Sequence, residues 1–444
     1  MTAIEVLAQF ISDFPADAVT SSLENAARRC LLDLIGSACS GFETESAGAA
    51  RAAARRLFPE GPASVWFSEE ELSAPAAAFC NAAAGSALDL DDGYRDAAGH
   101  PGAGVIPICL AAAQETGATF RETAVAIILG YEVGCRIAAA RNLPRLPTMA
   151  TGRWIAYGAA AALAYLYHYP AQTTAHALAI AGIHSPDMAA AGYSRMMGNH
   201  VKEGIPWAVL AGAAAVQLAV AGMTGPLDIL NHPDTYDAPR ILEGLGDRWV
   251  IEKVYFKPYG CCRWIHAAID ALLTILRDHS IPADTVDEIR VATFRRAVEG
   301  LTNETKPTTV EAAQYSLPFS LAVAAYEGKQ GLLPLQPSTL KRRDLTEWAE
   351  KVRMEVDPEL DRLFPTQSPA RVSVTVGNRR LEHTVYDPRG NPANPLSLEE
   401  LVEKFEILTG NILETTSRRS ILKLLTHEKT DPLPGLFELL VKPL

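Results

Sequence analysis

Apolar residues recur at helical spacing through most of the first 250 positions. Ser22-Leu23-Glu24-Asn25 opens a run in which Ala26, Cys30, Leu31, Leu34 and Ile35 fall three or four residues apart or side by side, as on one buried helix face. The same spacing predicts helices over Ala76–Leu88, Gly104–Glu115, Phe120–Ala140 and Trp154–Tyr167. Pro75 suits a first helical turn, where its missing N–H costs nothing. After about residue 265 the texture changes. Asp287–Phe294 and Ala370–Val376 alternate as half-buried strands do, and Arg380–Val385 reads as the hairpin partner of the second, through Gly377-Asn378. Helical segments are predicted over Val310–Tyr326 and Leu345–Val352, a loop at Asp387-Pro388-Arg389-Gly390-Asn391-Pro392, and a capping-box helix start at Ser397-Leu398-Glu399-Glu400. The expected architecture is mainly α. A large helical domain takes residues 1–265, a smaller α+β lid takes 266–394, and a helical C-terminus over 395–444 returns to the first domain.

Composition narrows the functional classes. The chain has 444 residues, 48% of them apolar, with 40 Lys+Arg against 52 Asp+Glu, a formal charge of −12. That balance speaks against a nucleic-acid binder and against docking on anionic lipid. Ile205–Met223 is nearly long enough to span a bilayer, but its Ala and Gly content, Pro206 and Gln217 suit a buried core helix better. The N-terminus lacks a basic stretch leading into an apolar one, so the expected compartment is the cytoplasm. Neither GxGxxG after a strand nor GxxxxGK[ST] occurs, which removes the usual nucleotide folds.

Three segments could carry chemistry. Ala87-Leu88-Asp89-Leu90-Asp91-Asp92-Gly93 sets three carboxylates within four residues at the end of an apolar helix, and His100 follows in a Gly/Pro-rich loop. Buried like charges raise a carboxylate's proton affinity, which tunes a general base, and a neighbouring His relays protons near neutral pH. A solvated helix end or a divalent-cation site would use the same residues, and DxDD alone does not choose between them. The second segment, Gly198-Asn199-His200-Val201-Lys202-Glu203-Gly204, puts His200 and Lys202 beside a helix start that suits a substrate carboxylate, with Arg195 just before it. Ordinary solvated charges are its plainer reading. The third is Lys257-Pro258-Tyr259-Gly260-Cys261-Cys262-Arg263-Trp264-Ile265-His266, at the junction of the two domains, where clefts form. Lys257 and Arg263 can clamp an anion there, and Cys261 and Cys262 read as buried thiols rather than a strained vicinal pair.

Taken in register, ALDLDD with HPGAGVIP, then GYEVGCRI, GNHVKEGIPW with MTGPLDIL, and KPYGCCRWIHAAID resemble the 2-methylcitrate dehydratase (MmgE/PrpD) superfamily, and SLEELVEKFEILTG fits its C-terminus. The resemblance implies a helical domain with an α+β lid, usually a homodimer, working without a metal or organic cofactor on a small polycarboxylate. Superfamily members include 2-methylcitrate dehydratase, cis-aconitate decarboxylase and iminodisuccinate epimerase, which share proton transfer at a carbon next to a carboxylate. Asp89, Asp91, Asp92, His100, Lys257 and His266 fall on matching motif positions. With Lys202, all but His266 form the expected catalytic set. Arg195, His200, Arg263, His266 and Tyr315 are expected to bind substrate.

The chain also departs from the lyase pattern. It reads Met149-Ala150-Thr151-Gly152 where lyase members show a His, Tyr193 where they show a Lys, and Phe319 where decarboxylase-like members have a Tyr. Elimination or decarboxylation needs a further group to protonate a leaving oxygen or a carbanion, whereas epimerisation needs only a base and an acid on opposite faces. The sequence therefore favours an iminodisuccinate epimerase-like isomerase, ahead of a hydro-lyase or decarboxylase. A non-catalytic polycarboxylate-binding protein is a third alternative, against which the Asp/His pair speaks.

Overall fold

A computed structural model of the chain describes residues 1–188, 198–426 and 431–441. The helical part begins with α1 (Ala3–Asp13), α2 (Ser21–Gly41) and α3 (Glu45–Leu57), then a short ribbon of β1 (Ala63–Ser64) and β2 (Glu71–Leu72). It continues through α4 (Ala74–Ser86), α5 (Pro101–Thr116), α6 (Phe120–Ala139), α7 (Ile155–Leu166), α8 (Ala171–His184), α9 (Ile205–Val220) and α10 (Ala238–Leu242). Thr2, Thr20, Thr44 and Thr119 cap α1, α2, α3 and α6 through their hydroxyls, satisfying N–H groups that a helix start leaves open. Small residues let these helices approach closely. A Cβ on Gly158 of α7 would stand 2.6 Å from the Gly130 carbonyl of α6, so only glycine fits that crossing.

α9 takes up most of the Ala-rich Ile205–Met223 stretch. One face is buried against α4, α7 and α8, while Trp207, Ala214, Gln217 and Val220 are exposed. No helix among the described residues is long and apolar enough to cross a membrane.

The α+β part holds α11 (His266–Asp278), β3 (Glu288–Thr293), α12 (Arg295–Gly300), α13 (Val310–Tyr315), α14 (Leu317–Glu327), α15 (Arg343–Ala349), β4 (Val352–Val356), α16 (Pro358–Asp361), β5 (Ala370–Val376) and β6 (Arg379–Val385). Its four strands run in the order β4-β3-β5-β6, with β3 parallel to β4 and antiparallel to β5, Val291 facing Val372. β5 and β6 form the hairpin expected through Gly377-Asn378, with Gly377 at φ +56°. Two expectations change here. The helix predicted over Leu345–Val352 stops at Ala349, because Val352 pairs with Ile289 and opens β4. The helix predicted over Val310–Tyr326 breaks at Ser316, whose hydroxyl accepts the Phe319 N–H and starts α14 with Pro318 in its first turn.

α17 (Leu398–Thr409), α18 (Thr415–Thr426) and α19 (Leu433–Leu440) complete the chain. Ser397 and Glu400 form the expected capping box, and α17 packs on α2. Two cores result. One draws buried side chains from Ala3 to Phe256 and again from Leu396 to Leu440, the other from Tyr259 to Val374. The fold is thus mainly α, with a smaller α+β part. A third, small apolar cluster joins Ala87, Leu88 and Leu90, in and just before the Asp-rich segment, to Leu333 and Leu408.

Candidate active site

α4 ends at Ser86, two residues short of the predicted Leu88, and the Asp-rich segment is a loop. The cause is lateral. The Lys202 ammonium donates to the last helical carbonyls, Ser86 O at 2.8 Å and Ala87 O at 3.1 Å, and Gln314 Nε2 also reaches Ala87 O. A cation at a helix C-terminus satisfies open carbonyls and complements the helix dipole. The chain then turns sharply, with Asp89 in the left-handed region at φ +56° and Lys202 likewise at φ +46°. Such backbone conformations cost energy and persist where the surroundings hold them. Lys257 holds Asp89 from behind, donating to its carbonyl at 3.0 Å and lying 2.9 Å from Oδ2.

The three carboxylates differ. Burial alone would raise the proton affinity of Asp89, but Lys257, Lys202 and His100 outweigh it and keep the group ionised, well below the ordinary range. Asp91 is raised by burial, against the pull of His100, whose Nδ1 lies 3.5 Å from it. Asp92 faces away, accepting from Tyr131 Oη at 2.7 Å and from the Gly102 N–H at 2.9 Å. Burial and the nearby Asp33 push it up to about 7. A Cβ at Gly102 would come within 2.6 Å of Asp92 Oδ1, so the start of α5 needs glycine there.

His100 is the centre of the cluster. Its Nδ1 is 3.0 Å from the Asp92 carbonyl, which only accepts, so the neutral ring carries its proton on Nδ1 and keeps a lone pair on Nε2. Nε2 faces Asp89 Oδ1 at 3.9 Å and Glu203 Oε1 at 3.8 Å. Three carboxylates thus surround an imidazole that can take up a proton. Thr151 ties the parts together, accepting the His100 N–H at 3.0 Å while giving its own N–H and hydroxyl to Glu203. Sequence reasoning passed over Glu203 and Thr151. Both lie in motifs quoted above, yet nothing in their spacing sets them beside His100.

Asp89, His100, Lys202 and Glu203 border two cavities, of about 350 and 340 Å³. The first opens toward the α+β part and meets Tyr255, Cys262, Arg263 and Tyr315. The second is apolar, running among Ala49, Ala53, Phe79, Ala83 and Trp207.

The other expected residues divide. Tyr315 lines the first cavity, its hydroxyl kept protonated by burial. His200 stands half-exposed at the second, 3.8 Å from both Glu45 and Glu311. Lys257, expected to hold a substrate carboxylate, is fully buried and turned to Asp89. Arg263 borders the first cavity, but its Nη atoms go to Arg389 O, Pro388 O, Asn391 and His266 rather than outward. His266 is sealed between Arg263 and the Cys261 carbonyl, and burial and Arg263 hold it neutral. Asp92 reaches neither cavity. Arg195 lies outside the described residues. Both vicinal cysteines are free thiols, and Cys262, on the cavity wall, is pushed up to about 12 by burial and Asp89.

One ligand atom from each of Asp89, Asp91 and His100 falls within 4.8 Å of the others, a spacing that could hold a cation. Lys257 and Lys202, 2.9 and 3.8 Å from the Asp89 oxygens, already bring positive charge to that point.

A loop of acids on a helix end, a His at the start of the next helix and lysines reaching in from two later segments thus meet between a helical and an α+β part, an arrangement able to move a proton. The chain belongs to the MmgE/PrpD family. The MmgE/PrpD N-terminal domain matches residues 5–238 and the MmgE/PrpD C-terminal domain residues 259–428. It is 24% identical to a cis-aconitate decarboxylase of Aspergillus terreus, across 98% of this chain and 95% of that protein. It is 23% identical to the cis-aconitate decarboxylase of Homo sapiens, over 92% and 88% of the two chains. A cis-aconitate decarboxylase-like protein of Aspergillus oryzae shares 24% over 91% and 89%.

Proposed function

We propose that this chain is a lyase acting on a small di- or tricarboxylate, with His100 moving the proton at a carbon beside a carboxylate. The observation that carries the reading is His100 itself: one ring nitrogen committed to a carbonyl, the other free beside the ionised Asp89 and the Glu203 side chain at a cavity wall. Nε2 takes or returns the proton, and Asp91, Asp89 and Glu203 stabilise the imidazolium that results. Lys202 places positive charge where an enolate would develop, and the walls exclude water from it. The lyase class is supported by the full-length similarity to cis-aconitate decarboxylases. Epimerisation is the second reading, favoured by Met149, a cavity-wall residue unable to give a proton that stands where the resemblance to lyase members implies a His.

Proton NMR in D₂O with a panel of di- and tricarboxylates separates the readings. A lyase yields deuterium wash-in with a change in alkene signals. Wash-in without alkene change establishes the epimerase. A folded protein that binds a polycarboxylate and exchanges no proton would overturn both and leave a binding protein. The reaction is further proposed to need no metal or organic cofactor, the lysines supplying the charge, and to take place in the cytoplasm. A homodimer is proposed from the exposed Trp207, Val220 and Met223 on and just after α9. A monomer by light scattering at micromolar concentration would refute it.

A further inference from the structure

The first cavity, at about 350 Å³, lies at the small end of ligand sites, on the order of 300–1,000 Å³. Beside His100, the lysines Lys202 and the buried Lys257 stand against Asp89 and Glu203 and leave no surplus positive charge there. A substrate with two or three carboxylates needs a further cation away from His100. Three guanidiniums border that space: Arg95, Arg263 and Arg296. Arg95 donates to Thr366 O at 2.9 Å, to Pro365 O at 2.8 Å and to Ser368. Arg263 is spent on the 388–391 loop and His266, as described. Both contribute charge, but their donors are largely committed.

Arg296, on α12, differs. Among the described residues it has no hydrogen-bond or ion-pair partner, although it is half-buried in the cavity wall. Its neighbour Arg295 does not line the cavity and is engaged by Asp361 and by Glu299, the one acid that α12 brings to the cavity wall. Ala297, fully buried, anchors the short helix beneath them. Taking a guanidinium partly out of water without a partner costs free energy, and its planar fork matches a carboxylate through two parallel N–H···O bonds.

We propose that Arg296 is a carboxylate-binding group on the α+β wall, receiving the substrate carboxylate farthest from the carbon where His100 moves the proton. This rests on the polycarboxylate reading above and narrows it to acids with a remote carboxylate. The experiment is calorimetric titration of tricarballylate, a tricarboxylate, into the full chain and its Arg296→Ala and Arg296→Lys variants, with thermal unfolding run alongside. Alanine should weaken binding by about 10- to 100-fold, as loss of charged hydrogen bonds does, and lysine should recover part of it. The unfolding midpoint should not move, because the side chain holds nothing inside the protein. Wild-type affinity in Arg296→Ala would sink the subsite while leaving the polycarboxylate reading intact. So would a loss that tracks a lowered midpoint and is not relieved by lysine. A wild-type chain that binds neither tricarballylate nor any other polycarboxylate of the panel would overturn both.

Discussion

The two walls of the first cavity are built differently. On the helical wall every polar group is held by another: His100 by Asp92 O and Thr151, Glu203 by Thr151, Lys202 by two helix-end carbonyls, Asp89 by Lys257. On the α+β wall the strongly bonded groups, Arg263 and His266, turn inward to hold the 388–391 loop and the Cys261 carbonyl. Also facing the space there are the polar Tyr315, Cys262, Arg296 and Glu299, set among the apolar Trp264, Leu301 and Phe364. A proton-transfer group must keep its geometry to a fraction of an ångström, so its partners are fixed in the protein. A group that recognises a ligand can keep donors open, because the ligand completes its bonding. On the proposed function, the helical wall would carry the chemistry and the α+β wall the recognition.

The largest effect that would test this division is His100→Ala, expected to lower kcat by roughly 10²- to 10⁴-fold, the usual share of a positioned acid or base. Wild-type deuterium wash-in by a folded His100→Ala protein would move the chemistry off the helical wall. Next comes Lys257→Met. Because Lys257 is sealed against Asp89, the substitution takes the nearest cation from a buried carboxylate, leaving only Lys202 and His100 at 3.8 and 3.9 Å, and should cost about 3 kcal/mol in denaturant unfolding. If Lys257 instead held substrate, the change would raise KM and spare stability.

A smaller effect concerns Asp92, pushed up to about 7 from the ordinary value near 3.9. Between those values the folded chain holds a proton that the unfolded chain gives up, so stability is full below pH of about 4 and falls as pH rises toward 7. The unfolding midpoint should therefore decline between pH 5 and 7, and Asp92→Asn should flatten that decline. A midpoint rising over the same interval in the wild type and unaltered in Asp92→Asn would contradict it. The smallest expected effect is none: exhaustive treatment with EDTA should leave turnover unchanged. Loss restored by a divalent cation would show that an ion bridges Asp89, Asp91 and His100 despite the lysines.

Periodicity made the helices, the β5–β6 hairpin and the capping box at Ser397 legible from the chain alone, because each depends on contacts within a few residues or on one repeated spacing. That His100 meets the Asp-rich segment was legible as well, since the two lie close in sequence. Orientation was not. That Asp92 turns to Tyr131, that Lys257 sits behind Asp89 rather than in the cavity, and that Arg263 spends its fork on the 388–391 loop depend on partners 39 to 168 residues away. The same holds for Glu203, which meets His100 only because Thr151 binds both. Local pattern selects residue types and elements. Which donor meets which acceptor in a buried site is decided by packing between distant segments, where each polar group must find its partner or forfeit the free energy of leaving water.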